Sequence, residues 1–354
     1  MKKNILILSL FLLLVACTNK NIDPIIIEET IVIKDTTKRV SMIMFGDALI
    51  HGTVYRDSLN RGSYLPMFDN FKSDIESSDI AYYNQETIIG CDYMPFSPYP
   101  TFNTPQSFGK DMVDLGFNLV STANNHSYDM GEKGLLCSID FWDSLDVEYA
   151  GTYNSEDKRN NESVFTINGI DFGFLSYTYG TNGLNPPKDK SYYINYIDKD
   201  LIIKDINNIK DNVDFLMVAM HFGDEYSFNE NQTQRELSRL MVDNGVDLII
   251  GSHPHVIQPI EWINDSLVIY SLGNMISAQE GIERLSGLSV KLEFVLNGQD
   301  KSIENVEPKL IYTDFEGYYT NFKLHYYDDI DDTYINNYQD HKDMLESVVF
   351  KYLK

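Results

Sequence analysis

From Arg39 to about residue 325, short apolar runs alternate with amphipathic segments, and this alternation constrains the fold more than any other feature. RVSMIMFGD predicts a buried strand, LPMFDNFKSDIESS has helical spacing, and DIAYYNQE predicts another strand. Strands that alternate with helices indicate an α/β fold, and later hairpins add antiparallel strands. Because no linker or internal repeat divides this region, we expect one domain over residues 39–325 and a C-terminal helical extension over residues 326–354.

Turn and cap residues mark where several of these elements begin or end. Thr104 is the predicted N-cap of a helix that has Pro105 at its first position, and Gly116 is predicted to end it. Asn168-Gly169 lies between two apolar runs and predicts a hairpin turn.

The N-terminus has the features of a secretory signal. Lys2 and Lys3 precede an apolar run that is too short for a finished membrane span, and the segment ends in LVAC. This ending resembles a bacterial lipobox, so we expect a signal peptide over residues 1–16, lipidation of Cys17, and a tether over residues 17–38. A lipid anchor on Cys17 would hold the protein at the cell envelope, outside the cytoplasm. An ordinary signal peptide with an incidental cysteine is the alternative.

The chain is strongly acidic, and removal of Lys2 and Lys3 with the signal would take the formal net charge from -25 to -27. Such a charge argues against nucleic acid as a partner and suits a protein that holds divalent cations. Beyond the lipobox, only Cys91 and Cys137 remain. Their spacing leaves two possibilities open, a single disulfide or two buried free thiols.

Polar side chains collect where the predicted strands end. Five of the seven histidines lie just past strands, beside carboxylate and amide residues. Ligands of α/β sheets bind beyond the carboxyl ends of strands, so we expect these side chains to lie together. They are Asp47, His51, Asn84, Glu86, Asn124, Asn125, His126, Asp129, His221, His253, His255 and Asn274.

This mixture of side chains favours a transition-metal site. Imidazole and carboxylate ligands together suit Zn, Mn or Fe better than Mg or Ca alone. The number of candidate ligands exceeds what one tetrahedral ion needs, so we expect two divalent ions. In GSHPHVIQPIE, His253 and His255 are then two metal ligands, and Pro254 limits the turn between them.

Six motifs in the same order resemble those of bacterial capsule-synthesis proteins of the CapA (PgsA) type. They are GDALIH, NQE, ANNHSYDMG, HFGDEY, GSHPHVIQPIE and YSLGN, and they span about residues 40 to 280. That family is similar to calcineurin-like metallophosphatases. The resemblance implies a four-layer α/β/β/α sandwich of the metallophosphatase type, with a dinuclear metal site on its loops.

The resemblance also implies roles for individual residues. The implied metal ligands are Asp47, Glu86, Asn125, His221, His253 and His255, with Glu86 at the bridging position. His126 is the implied general acid, and Asp129 is assigned to the catalytic group with it. Further candidates for metal or substrate contact are His51, Asn84, Glu225 and Asn274.

This chain departs from metallophosphatases proper at two positions. His51 follows Asp47 by four positions rather than two, and Asn84-Gln85-Glu86 stands where they carry an aspartate in G-D-x-x-D.

Three functions are compatible with these features. The first is a metal-dependent hydrolase on the cell surface that cleaves a phosphoester or a γ-glutamyl amide. The second is an accessory protein for synthesis or export of an anionic polymer such as poly-γ-glutamate, working beside capsule-synthesis membrane proteins. The third is a metal-stabilised binding lipoprotein without turnover.

Overall fold

A computed structural model describes residues 37–161 and 163–353, and Lys38–Lys354 forms one compact unit. The predicted signal peptide, Cys17 and nearly all of the predicted tether lie outside the described residues. None of the helices within the two described ranges has the length and apolar character that crossing a bilayer requires. The boundary at residue 326 stays a prediction.

The described residues form strands and helices that alternate as the sequence predicts. The strands are β1 (Lys38–Ala48), β2 (Ile80–Asn84), β3 (Leu119–Ser121), β4 (Glu148–Ala150), β5 (Ser163–Ile167), β6 (Ile170–Thr178), β7 (Phe215–His221), β8 (Leu248–Ser252), β9 (Ile260–Ile263), β10 (Ser266–Ile269), β11 (Asn274–Ile276), β12 (Ser286–Asn297), β13 (Asp300–Glu316) and β14 (Thr320–Tyr326). The helices are α1 (Gly52–Arg61), α2 (Lys72–Glu76), α3 (Gln106–Leu115), α4 (Gly131–Asp143), α5 (Glu156–Asn160), α6 (Lys199–Ile209), α7 (Gln232–Asp243), α8 (Ile282–Leu285) and α9 (Tyr338–Val349).

These strands build two mixed sheets. The first has the order β14-β13-β12-β1-β2-β3-β4, with β11 paired in parallel to the end of β1. Within it, β1 to β4 are parallel and β12 to β14 are antiparallel. The second has the order β5-β6-β7-β8-β10-β9, in which the four central strands are parallel. The parallel strands are the ones whose carboxyl ends carry the candidate site.

The two sheets pack face to face, and helices cover both outer faces. Alternation along β1 shows the arrangement, because Met42 and Met44 belong to the core between the sheets while Ile43 and Phe45 face the helices. Side chains from α1 to α4 complete the core on the first sheet, and those from α6 and α7 complete the core on the second. The expected four-layer α/β/β/α sandwich is therefore confirmed.

Several local predictions are wrong by a few residues. Pro105 is the N-cap of α3 rather than its first residue, because the Thr104 hydroxyl donates to Thr87 Oγ1 (2.8 Å) instead of capping the helix. Gly116 does end α3, in the left-handed conformation at φ 115°. The predicted helix in LPMFDNFKSDIESS is a 3₁₀ turn followed by the short α2, and α1 was not predicted. The buried residues of α1 include Gly52, Asp57 and Ser58, so its sequence has little apolar periodicity.

A buried ion pair fastens the helical layer to the second sheet. Arg159 of α5 donates to both carboxylate oxygens of Asp205 in α6, and the Tyr177 hydroxyl at the end of β6 donates to Asp205 Oδ2 (2.7 Å). Asp205 has no exposed surface, and Arg159 is 7% exposed. Removal of one member of a buried ion pair strongly destabilises a fold, so we expect substitution of either Arg159 or Asp205 to lower the stability of the protein.

We expect Asp205→Asn to lower the free energy of unfolding by about 3–5 kcal/mol, because it removes the carboxylate charge that the buried Arg159 guanidinium and the Tyr177 hydroxyl contact. Urea unfolding followed by circular dichroism measures the change. Glu76→Gln, which breaks the exposed Lys72–Glu76 pair, is the control and should cost at most about 0.5 kcal/mol. A loss below about 1 kcal/mol for Asp205→Asn would contradict the role assigned to the pair.

Candidate metal centre

The carboxyl ends of strands from both sheets meet at one edge of the sandwich. Asp47 lies near the end of β1, Glu86 two residues past β2, His221 at the end of β7, and His253 and His255 just past β8. All five side chains are buried. The predicted meeting of strand ends is therefore observed, and it lies at the junction of the two sheets.

These five side chains form two groups that could each hold a metal ion. One is Glu86, His221 and His253, the other is Asp47, Glu86 and His255, and within each the ligand atoms lie within 4.8 Å of one another. Glu86 Oε1 is 3.7 Å from His221 Nε2 and 3.6 Å from His255 Nε2, and Asp47 Oδ2 is 3.4 Å from His255 Nδ1. Metal–ligand bonds of about 2.0–2.2 Å place two ligands of one ion roughly 3–4 Å apart, so these spacings fit.

Glu86 is the group whose environment most requires a cation. It has no exposed surface, and neither carboxylate oxygen accepts a hydrogen bond from any described residue. Burial raises the pKa of Glu86 well above its usual value, because the charged form is poorly solvated there. A buried carboxylate without donors is costly for the fold unless a cation binds it. The donor set present therefore fits one or more divalent ions.

The histidines of the cluster have different electrostatic environments. Burial and the neighbouring charge of His255 lower the pKa of His253 to about 3, and burial lowers the pKa of His221 well below its usual value. Both rings are therefore neutral and offer a nitrogen lone pair. Burial acts against protonation of His255 as well, but the charges of Glu86 and Asp47 raise its pKa to about 9. The imidazolium of His255 is thus the local counter-charge for the two carboxylates.

The backbone at the two neighbouring histidines is held in an unusual conformation. His253 has φ 99° and His255 has φ 58°, both in the left-handed region that non-glycine residues seldom adopt. The Tyr226 N–H donates to the Pro254 carbonyl (2.7 Å), which holds the intervening residue in place. Such local strain costs about 1–3 kcal/mol per residue. In this conformation each imidazole has a nitrogen within 4.8 Å of a Glu86 oxygen.

A buried chain of hydrogen bonds orients Asp47. Asn84 Nδ2 donates to Asp47 Oδ1 (2.8 Å), and the Ser121 hydroxyl donates to Asn84 Oδ1 (2.7 Å). The His253 N–H donates to Asp47 Oδ2 (3.2 Å). Asn84, which the sequence offers as a candidate for metal or substrate contact, lies here as an orienting residue. Contacts of this kind fix the direction of a ligand and are typical of metal sites.

Two amide side chains contact ligand histidines directly. Asn125 Oδ1 lies 2.9 Å from His221 Nε2, the same nitrogen that faces Glu86, so the three groups converge on one point. Asn274 Oδ1 lies 3.0 Å from His255 Nδ1. Asn274 was expected to end the strand SLVIYSLG, but it begins β11 instead and pairs with Asp47 in the other sheet. The chain crosses from the second sheet to the first between β10 and β11, which the apolar pattern does not show.

His126 is held by a carboxylate at the edge of the cluster. Its Nδ1 lies 2.7 Å from Asp129 Oδ2, and the Phe102 N–H donates to the same oxygen (2.7 Å). The edge of the His126 ring packs on Phe102 with centroids 4.7 Å apart. Because Asp129 occupies Nδ1, Nε2 is the nitrogen that no described residue bonds. The structure thus brings the two candidates His126 and Asp129 into contact.

The remaining candidates lie outside the two metal-ligand groups. His51 is the N-cap residue of α1, with its Nδ1 3.0 Å from the Leu49 carbonyl oxygen, and burial lowers its pKa to about 4. Glu225 is exposed, yet it is close enough to Glu86 to interact with it electrostatically. Neither residue belongs to the groups that could hold an ion.

Sequence reasoning missed residues that line and support the site. The Ser252 hydroxyl lies 2.9 Å from His221 Nδ1 and holds that ring from behind. Tyr179 and Tyr226 are about half exposed, and their ring centroids lie 4.5 Å from that of His253 and 6.1 Å from that of His255. Ser252 precedes His253 within the quoted motif, which was a usable signal. Tyr226 ends the quoted motif HFGDEY, which was also a usable signal, whereas Tyr179 had no distinguishing pattern in a chain with 24 tyrosines.

A disulfide fastens the loop that follows Glu86. Cys91 is bonded to Cys137 of α4, with Cα atoms 5.3 Å apart, so the first of the two possibilities left open by the sequence is the one observed. Helix α4 directly follows the segment that carries His126 and Asp129. The bond therefore ties the two loops that carry Glu86 and His126 to one helix.

A family model described as bacterial capsule synthesis protein PGA_cap matches residues 41–279. The PGA biosynthesis protein CapA of Bacillus subtilis (strain 168) is 31% identical over 191 residues, which cover 53% of this chain and 50% of that protein. The capsule biosynthesis protein CapA of Bacillus anthracis is 27% identical over 251 residues, which cover 68% and 61% of the two chains. The chain thus spans about half to three fifths of the length of these relatives.

A crystal structure described as a novel phosphatase of Mycoplasma pneumoniae covers 78% of this chain and 94% of its own, at 13% identity and a TM-score of 0.46. At that TM-score it adds no argument about this chain.

We expect Glu86→Gln to remove the stabilisation that Mn²⁺ or Zn²⁺ gives, because Glu86 belongs to both metal-ligand groups. At a metal concentration 100 times the dissociation constant, the wild type should gain about 2.7 kcal/mol. Without metal, the variant should be at least as stable as the wild type, since it lacks a buried carboxylate that accepts no hydrogen bond from any described residue. Thermal unfolding with and without metal measures both, and Glu76→Gln should retain the full metal effect. A metal-dependent stabilisation of Glu86→Gln equal to that of the wild type would exclude a ligand role.

Proposed function

The chain belongs to the bacterial capsule synthesis protein family of the PGA_cap type, and on that premise we propose that it is a dinuclear metal-dependent hydrolase of the cell envelope. Its substrate is a phosphoester or a γ-glutamyl amide linked to synthesis or export of an anionic capsule polymer. The observation that carries this proposal is the buried carboxylate of Glu86, which belongs to two ligand groups at once. A binding protein needs only one such group to hold an ion.

Two ions account for the ligands better than one. Glu86 would bridge them, His221, His253 and Asn125 would complete one side, and Asp47 and His255 the other. Mn, Fe or Zn suits this mixture of imidazole, carboxylate and amide oxygen. Divalent ions bound here would supply Lewis-acid activation of a water molecule and of the bond to be cleaved.

His126 supplies the proton in this proposal. Asp129 fixes the ring through Nδ1, and Phe102 packs against it, so Nε2 is the nitrogen that would face the leaving group. From there it can donate a proton to the departing oxygen or nitrogen. Asp129 acts by orienting His126 and need not touch the substrate.

In this proposal, the protein lies outside the cytoplasm and is held at the envelope by a lipid anchor on Cys17. The LVAC ending of the predicted signal supports this, and so does the Cys91–Cys137 disulfide, since such bonds persist in oxidising compartments. The capsule-related names of the two Bacillus relatives agree with action at the envelope.

The reconstituted wild type should hold close to two Mn or Zn ions per chain by elemental analysis. His253→Ala and His255→Ala should each lose at least one, because each histidine belongs to a different ligand group. Metal content at or near zero in the reconstituted wild type would refute the dinuclear centre.

His126→Ala should keep the fold and the metal content while it lowers turnover by about 10²–10⁴-fold, the usual contribution of a positioned general acid. The loss should be much smaller for a nitrophenyl phosphate than for an alkyl phosphate, because nitrophenolate leaves without a proton. Steady-state rates on both substrates measure this, and His341→Ala in α9 is the matched control. An unchanged rate on the alkyl phosphate would remove His126 from the mechanism. If no substrate is turned over while polymer export fails in His126→Ala cells, the protein is a metal-stabilised binding or accessory protein instead.

A further inference from the structure

Arg284 places a guanidinium at the rim of the candidate metal centre. It belongs to α8, and its guanidinium carbon lies 5.0 Å from the centroid of the Tyr226 ring. That ring is in turn 6.1 Å from the imidazole of His255, a member of the Asp47 and Glu86 group. The guanidinium is therefore separated from the metal ligands by one aromatic ring.

The positive charge of Arg284 is not neutralised by an ion pair within the described residues. Arg39, Arg61, Arg159 and Arg235 each pair with a carboxylate, whereas Arg284, like Arg56 and Arg239, has no ion pair with any described residue. Of these three, Arg284 is the one whose guanidinium lies against Tyr226. Its positive charge is available to an anion that enters the site.

A hydrogen bond from Asn274 holds the backbone of Arg284 in place. Asn274 Nδ2 donates to the Arg284 carbonyl oxygen (2.7 Å), and Asn274 Oδ1 contacts His255 Nδ1 (3.0 Å). One side chain thus ties the backbone of Arg284 to a metal-ligand histidine. The guanidinium lies over the Tyr226 ring and also hydrogen-bonds the Tyr226 side chain. Since a guanidinium has five N–H donors, others remain for an anion.

We infer that Arg284 recognises a second oxyanion of the substrate, a phosphate or a carboxylate, while a first one lies at the metal centre. The inference rests on the proposed function and narrows its substrate to a molecule with two anionic groups separated by a short spacer. The exposed acid Glu225 also neighbours Tyr226, and its negative charge offsets part of the positive field of Arg284. Recognition therefore depends on the planar fork of N–H donors in the guanidinium as well as on its charge.

The test is binding to metal-loaded protein rather than turnover. Calorimetry compares propane-1,3-bisphosphonate with propylphosphonate, and glutarate with butyrate, so that each pair differs by one oxyanion and cannot be hydrolysed. The wild type should prefer the member with two groups in at least one pair, and that pair identifies phosphate or carboxylate chemistry. Arg284→Gln should weaken binding of that member by about 10- to 100-fold, the range for charge-assisted hydrogen bonds, and leave the single-group member within about twofold.

Two further variants sharpen the result. Arg239→Gln makes the same charge change on the exposed surface of α7 and should alter neither affinity. Arg284→Lys keeps the charge but not the fork, so it should recover only part of the preference. A wild type without any preference for two groups, or an Arg284→Gln protein that retains it, overturns the inference. Because no rate is measured, the inference survives if the protein binds the probes but hydrolyses nothing, whereas the proposed hydrolase then fails.

Discussion

The buried carboxylate of Glu86 is the interaction around which the rest of the site is arranged. It lies between the ends of two sheets, and no described residue donates a hydrogen bond to it. Asp205, another fully buried acid, accepts hydrogen bonds from Arg159 and Tyr177. The two acids therefore differ in environment: Asp205 is bonded by protein donors, whereas Glu86 accepts no hydrogen bond from a described residue and would be stabilised by a bound cation.

The residues around the candidate ligands hold their side chains in place. Asp47 is fixed by Asn84 and by a backbone N–H, and His221 is fixed by Ser252. The left-handed backbone at His253 and His255 stores strain that the packed core must offset. A pre-arranged set of ligands reduces the ordering cost of binding, which suits a centre that must hold its geometry during a reaction.

The rim of the centre differs in character from its floor. The floor is made of buried carboxylates and imidazoles, whereas Tyr179, Tyr226 and Arg284 lie at the mouth. An acidic chain repels polyanions over most of its surface, so a metal ion bound at the candidate centre and the nearby Arg284 guanidinium would attract an anionic group locally. Capture would then be confined to the mouth rather than spread along a groove.

The sequence alone determined the fold class, the rhythm of strands and helices, and most of the residues that lie in the site. Period-two and helical spacing record which faces are buried, and strand ends record where polar side chains collect, so these features are local in the chain. The tertiary structure alone decided that Cys91 and Cys137 are bonded, that Asn125 contacts His221, and that the chain crosses between the sheets so that Asn274 pairs with Asp47 in the first sheet. Those contacts join residues far apart in the chain, and their distances depend on how the two sheets pack, which no local pattern encodes.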